Sequence, residues 1–124
     1  MEKKIKITAG NVTAQAVLND SPTALKIWEA LPIEANGDTW GDEIYFGIAV
    51  KAPLEKSAKE VVEVGDLGFW PPGHAFCIFF GPTPVSRGNE VRPASAVNVV
   101  GRIEGDAKVF KKVPSGAKVK IEKG

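Results

Sequence analysis

One histidine, His74, and one cysteine, Cys77, stand three positions apart in a chain of 124 residues. Between them they limit the metal and nucleophilic chemistry open to it. A zinc site draws three or four ligands from His, Cys and carboxylates, and one of each soft ligand is too few. A Ser-His-acid triad would have to use His74, yet no serine sits in a nucleophile-elbow sequence. His74 follows a Pro-Pro-Gly turn with no acid partner identifiable by spacing, so it reads as a surface or capping group. Cys77 lies between large apolar residues, the setting of a small buried hydrophobe. Asp38, Asp42 and Glu43 place three carboxylates in six residues beside Trp40. The spacing fits no calcium loop, and the stretch reads as a solvated turn with an aromatic lid. Gly65-Asp66-Leu67-Gly68 leads into a strand rather than a helix, so no phosphate-binding fingerprint is present. Neither a metal nor an organic cofactor is expected.

The aromatic residues are more informative. Phe46, Ile48, Phe76, Ile78 and Phe80 supply inward faces by alternation, which sends Tyr45, Cys77 and Phe79 to the other side. An outer wall of that kind needs a cover. Either the chain's own loops dock on it, or it is a binding groove. In the second reading Trp40, Tyr45, Trp70, His74, Cys77 and Phe79 line the groove, and Arg87 and Arg92 rim it from a long loop. The aromatic rings would stack on a ligand, and the arginines would recognise an anion or a carbonyl.

The elements that must position these residues follow from pattern. Residues 68–84 hold four of the six phenylalanines, and Ala75 to Phe80 is an unbroken apolar run between Pro-Pro-Gly and Gly-Pro-Thr-Pro. So short a run between breakers predicts a strand buried along most of its length. Residues 4–18 alternate across Gly10-Asn11 and predict a hairpin. Ser21-Pro22 starts a helix whose face is Ala24, Ile27, Trp28 and Leu31, and Pro32 stops it. Residues 36–42 read as a polar loop. Ile44 to Val50 alternate as a long strand, and residues 54–60 fit either a short helix or a loop. Short strands follow at 61–64, 67–70, 97–103, 109–113 and 118–122, with Pro72-Gly73 as a type II turn. About eight short strands, one good helix and no βαβ rhythm predict a mainly β fold. A closed antiparallel barrel is its natural form, because closure leaves few edges unpaired.

The chain is long enough for one domain, residues 1–124, with its own core. Its net charge of +1 is spread along the sequence, so no nucleic-acid or membrane partner is expected. The N-terminus lacks a long apolar stretch, and a lone cysteine suits a reducing compartment, so a cytoplasmic location is expected.

Three segments resemble the cyclophilins: Asp20-Ser21-Pro22-Thr23-Ala24 with Ile27-Trp28-Glu29-Ala30-Leu31, then His74-Ala75-Phe76-Cys77-Ile78-Phe79, then Val99-Val100-Gly101-Arg102-Ile103-Glu104-Gly105. A small bacterial and archaeal cyclophilin-like group is similar in more distinctive motifs. These are Gly41-Asp42-Glu43-Ile44-Tyr45-Phe46, Trp70-Pro71-Pro72-Gly73 and Phe80-Gly81-Pro82-Thr83-Pro84. The resemblance implies a closed eight-stranded barrel of cyclophilin-like type with its first and last strands adjacent. It also implies isomerisation of Xaa-Pro bonds, in which a strand-borne arginine weakens amide resonance over an apolar pocket. Here that strand, within Gly41 to Lys51, carries no arginine, and none precedes Arg87. The family's groove glutamine falls on Ala75, its groove phenylalanine on Cys77, and its groove histidine near Val97. The expectation is therefore a barrel that binds a peptide or small molecule without efficient catalysis. A weak prolyl isomerase with rewired polar groups is the second reading. The third is a structural or accessory subunit, or a homo-oligomer, that uses the wall as an interface.

Overall fold

The computed structural model describes residues 3–124; Met1 and Glu2, the start of the N-terminal segment read above, lie outside them. Eight strands close into an antiparallel barrel: β1 (Lys3–Ala9), β2 (Val12–Leu18), β3 (Ile33–Thr39), β4 (Glu43–Gly47), β5 (Asp66–Trp70), β6 (Ala75–Phe79), β7 (Asn98–Ile103) and β8 (Ala117–Lys123). Around the barrel the order is β1-β2-β7-β5-β6-β4-β3-β8, and β8 pairs back onto β1. One helix, α1 (Pro22–Ala30), is capped by the Ser21 hydroxyl, which accepts from the Ala24 amide, and it ends at Leu31, held extended before Pro32. No helix among the described residues is long and apolar enough to cross a membrane.

The interior is one continuous apolar cluster. It takes Ile5 and Ile7 from β1, Ala16 and Leu18 from β2, and Ile44 and Phe46 from β4. Leu67 and Phe69 come from β5, Phe76 and Ile78 from β6, Val119 and Ile121 from β8, with Phe80 just beyond β6. Phe46 and Phe76 face each other across the β4–β6 pair with ring centroids 5.5 Å apart. Thus Phe76, Ile78 and Phe80 do share the inner side. At about 1.5–3 kcal/mol for each large side chain withdrawn from water, this cluster is the main term holding the barrel shut.

Strands β1, β2 and β8 alternate between buried and wetter positions, whereas β6 is buried at every residue. The outer face of β6 forms a second cluster, in which Ala75, Cys77 and Phe79 pack with Val62, Val91 and Val97. Those three valines come from the segments between β4 and β5 and between β6 and β7, tied together by single bridges at Val62–Val91 and Lys59–Val97. The chain's own loops therefore cover much of the outer wall.

Several elements differ from the sequence expectation, each for a local reason. Residues 33–39 form β3 although they read partly as a loop. At Gly37 a Cβ would lie 2.8 Å from Ile44 Cγ2 and 3.0 Å from Val119 Cγ2, so the inward position is glycine and the apolar alternation is lost. Residues 61–64 make one bridge and no strand, with Val61 and Val64 exposed. Residues 109–112 belong to a 3-10 helix, Ala107–Lys112, capped by Val113 at its end and by Asp106, which accepts from the Lys108 amide, at its start. Strand β4 stops at Gly47 rather than Val50. Pro71–Gly73 is a 3-10 turn instead of a type II turn, and the left-handed residue is His74 at φ 47°. Residues 54–60 are loop, held by a buried hub at Asn98. Its side-chain amide donates to Pro53 O at 2.9 Å and Thr23 Oγ1 at 3.0 Å, and its oxygen accepts from the Glu55 amide at 2.8 Å. The Glu55 carboxylate in turn accepts from the amide and hydroxyl of Thr23.

Candidate functional site

Register decides what the outer wall presents. In the β4–β6 pair Glu43 is opposite Phe79, and Tyr45 is opposite Cys77. In the β5–β6 pair Gly68 is opposite Cys77 and Trp70 is opposite Ala75. All of these face away from the barrel interior, since Ile44, Phe46, Leu67, Phe69, Phe76 and Ile78 face inward. A Cβ at Gly68 would lie 3.0 Å from Val97 Cγ2 and 3.1 Å from Phe79 Cε2, so its bare backbone lets Val97 and Phe79 close over the wall.

The cover stops short of the β4 side. What remains is a pocket of about 200 Å³ lined by Trp40, Glu43, Tyr45, Trp70, Cys77, Pro93, Ala94 and Val97. Drug-sized ligands occupy roughly 300–1,000 Å³, so this volume suits one side chain or a fragment-sized molecule. A larger depression of about 560 Å³ runs along β2 and β7, but it is an open trough, and its Arg102 and Asp66 already face each other at 4.0 Å.

The distinctive motifs build the smaller pocket. Gly41 has φ +60°, and a Cβ there would meet Pro84 Cδ at 2.8 Å and Thr83 Cα at 2.9 Å. The Asp42 amide donates to Pro82 O and the Phe80 amide donates to Asp42 O, both at 2.9 Å. The Gly41-Asp42 turn and the Gly81-Pro82-Thr83-Pro84 turn are therefore packed as one unit that carries Trp40 to the rim. In Trp70-Pro71-Pro72-Gly73 a Cβ on Gly73 would lie 2.9 Å from the Trp70 ring, so the indole rests on the turn's backbone. Its Nε1 donates to Ser95 Oγ at 2.7 Å, which fixes the ring and uses its one donor. Thr83, Ser86 and Arg92 are joined by hydrogen bonds through Ser86 Oγ and the Arg92 carbonyl, stiffening the covering loop.

Glu43 is the chemically unusual group. It is 5 % exposed, and its Oε1 has no hydrogen-bond partner among the described residues. Burial pushes its carboxyl from the ordinary 4.5 up to about 7, while the neighbouring Cys77 thiol pulls slightly the other way. The thiol is a weak donor whose clearest contact is Ala75 O at 3.8 Å, so it offsets little of the burial cost at Glu43. Cys77 itself is pushed well above the usual thiol range by burial and by the facing carboxylate. A thiol held neutral in this way is a poor nucleophile.

Of the residues expected at a groove, Trp40, Tyr45, Trp70 and Cys77 come together around this pocket. Four do not. Phe79 is fully buried beneath Val62, Val91 and Val97, because the loops close over that end of β6. His74 is exposed beyond the 3-10 turn, whose left-handed end turns it off the wall. Arg87 is exposed at the loop surface, and Arg92 is ion-paired to Glu90 at 2.7 Å. Neither arginine lines the pocket. Sequence reasoning missed Glu43 and grouped it with Asp38 and Asp42. Yet Asp42 packs on Gly81 and lies 3.7 Å from Lys111, while Asp38 is exposed. The available signal was parity, since Glu43 is two residues before Tyr45 on one strand face.

Ala75, Cys77 and Val97 stand where the cyclophilin resemblance puts its groove glutamine, phenylalanine and histidine, and the latter two line the pocket. Comparison with known proteins bears on the fold family as a whole. The sequence profile of the Cyclophilin-like family matches residues 3–122. The solution structure of a hypothetical protein from Archaeoglobus fulgidus is similar with a TM-score of 0.84 and 41 % identity, over 99 % of this chain and 95 % of that one. No curated protein matches significantly.

Proposed function

The chain belongs to the cyclophilin-like family, and from that premise we propose that it is a binding protein. It takes one small group, a peptide side chain or a fragment-sized molecule, into the wall pocket and does not isomerise prolyl bonds efficiently. The observation that carries this reading is the aromatic pocket left between Trp40, Tyr45 and Trp70 where the covering loop ends. Its walls are pre-positioned by the turn contacts of Gly41 and Gly73 and by the Trp70–Ser95 hydrogen bond, so little ordering cost attends binding. The absence of both candidate arginines from its lining argues against isomerase chemistry. A fixed donor aimed at developing charge is commonly worth roughly 10²–10³ in rate.

The three tryptophans give a direct test. Trp40 and Trp70 line the pocket, while Trp28 lies elsewhere with the Lys123 ammonium 4.7 Å from its ring. Titration with small aromatic and aliphatic fragments should move the indole N–H resonances of Trp40 and Trp70 and leave that of Trp28 in place. A fragment series that moves neither, or a proline-peptide assay showing arginine-dependent turnover, refutes the reading.

A further inference from the structure

Resting on that reading of the pocket, we propose that its ligand is an organic amine whose ammonium group pairs with Glu43 while its apolar body lies against Trp40, Tyr45 and Trp70. The pocket contains a negative group and lacks its complement. Glu43 is 5 % exposed with an unpartnered Oε1, and among the described residues no Lys, Arg or His lines the cavity. Arg92, next in sequence to the lining residue Pro93, is held by Glu90 at 2.7 Å, and Lys111 faces Asp42, the neighbour of Glu43, at 3.7 Å. A buried carboxylate with no counter-ion and only a weakly donating thiol beside it is destabilising and would be better replaced by an apolar residue, unless something outside the chain pairs with it.

The remaining lining sets what that partner must be. Trp70 has given its one donor to Ser95, so its contribution to the cavity is ring surface. Pro93, Ala94 and Val97 add hydrocarbon from the covering loop. Aromatic walls attract a cation over their faces and accept its hydrocarbon body. An anion would meet the Glu43 charge with no cation in the lining to offset it. A metal ion would find one carboxylate and a thiol kept protonated, and no group of three metal-binding side chains occurs among the described residues.

The proposal fixes a sign for pH. The titratable groups facing Glu43 are Tyr45 on β4 and Cys77 on β6; Trp40, Trp70 and the loop residues do not titrate. An ammonium requires the ionised carboxylate, so affinity must rise as pH rises through about 7 and level off above it. A carbonyl ligand, which would accept from the protonated carboxyl, requires the opposite trend.

The test is an NMR titration of the full chain with benzylamine and its neutral isostere benzyl alcohol between pH 5.5 and pH 8.5, following the Trp40 and Trp70 indoles. At pH 8 benzylammonium should bind about tenfold or more tighter than benzyl alcohol, with the advantage falling about tenfold per pH decade below 7. In Glu43→Gln the pH dependence should vanish and the preference should shrink to the small remainder that the aromatic faces supply. An acetyl-Gly-Lys-Gly-amide arm distinguishes the sources of the amine. The same shifts and pH profile from the peptide assign the ammonium to a lysine side chain, and response to benzylamine alone assigns it to a free amine. Equal binding of the isosteres at pH 8, cation affinity that falls with rising pH, or the full cation preference retained by Glu43→Gln overturns the amine and leaves the binding pocket standing. Failure of every probe to move Trp40 and Trp70 overturns both.

Discussion

Replacing Glu43 by Gln should make the protein more stable at neutral and alkaline pH, by an amount that the carboxyl's burial sets. In the unfolded chain this group releases its proton near 4.5, and in the folded chain it holds the proton until about 7. Below pH 4.5 both states are protonated and the carboxyl costs nothing extra. Between the two values unfolding releases a proton, so stability falls as pH rises. Above 7 both states are ionised and the cost is complete. At about 1.4 kcal/mol per pH decade the loss totals about 3 kcal/mol. Gln keeps the shape of the side chain and carries no charge, so the difference between variant and wild type isolates this one group while the other carboxylates cancel. The assay is urea unfolding of both proteins at half-unit steps from pH 4.5 to pH 8. The variant should gain about 3 kcal/mol relative to wild type across the range, most of it between pH 5 and pH 7. A difference that stays flat to within about 0.5 kcal/mol, or that runs the other way, would mean that Glu43 is solvated or paired in solution. That result would remove the physical basis for the site.

Three further outcomes follow from the packing. Asn98→Ala should cost about 3 kcal/mol in urea or thermal unfolding, because Pro53 O and the Glu55 amide lose their partner in a buried hub and Thr23 Oγ1 loses one of its two; a loss under about 1 kcal/mol would show that water replaces the side chain. Gly101→Ala should cost more than about 2 kcal/mol, since its Cβ would press on the Val17 carbonyl oxygen and lie 3.0 Å from Leu18 Cα across the β2–β7 seam, where neither strand can yield. A near-wild-type melting temperature would contradict that seam. The Cys77 thiol should resist Ellman's reagent at pH 8 in the folded protein and react fully in denaturant, because it is buried and held protonated; native-state labelling at the rate of a free thiol would refute this.

The strands that the sequence made plain are those whose two sides meet different surroundings. In β1, β2 and β8 one face meets the interior and the other meets water, and alternation survives in the residues. Ala75 to Phe80 was legible for the opposite reason, being buried on both sides between breakers. Helix α1 announced itself through Ser21, Pro22 and Pro32. Strand β3 was illegible because Gly37 is shaped by Ile44 and Val119, residues on other strands that local pattern cannot see. The distinctive motifs were visible as words, but their meaning lies in three-dimensional contacts, Gly41 on Pro84 between two of them and Gly73 under Trp70 within a third.

The chain's order of residues thus determined that a closed barrel forms and which aromatic residues sit on its outer wall, because both follow from hydrophobic period and parity. Tertiary structure alone decided which part of that wall is sealed by Val62, Val91 and Val97, which arginine is occupied elsewhere, and which of three neighbouring carboxylates is buried. Burial and pairing depend on loops folding back from distant positions. No local spacing encodes the dielectric around Glu43, and that surrounding is what turns an ordinary turn-flanking acid into a buried carboxyl with an unpartnered oxygen.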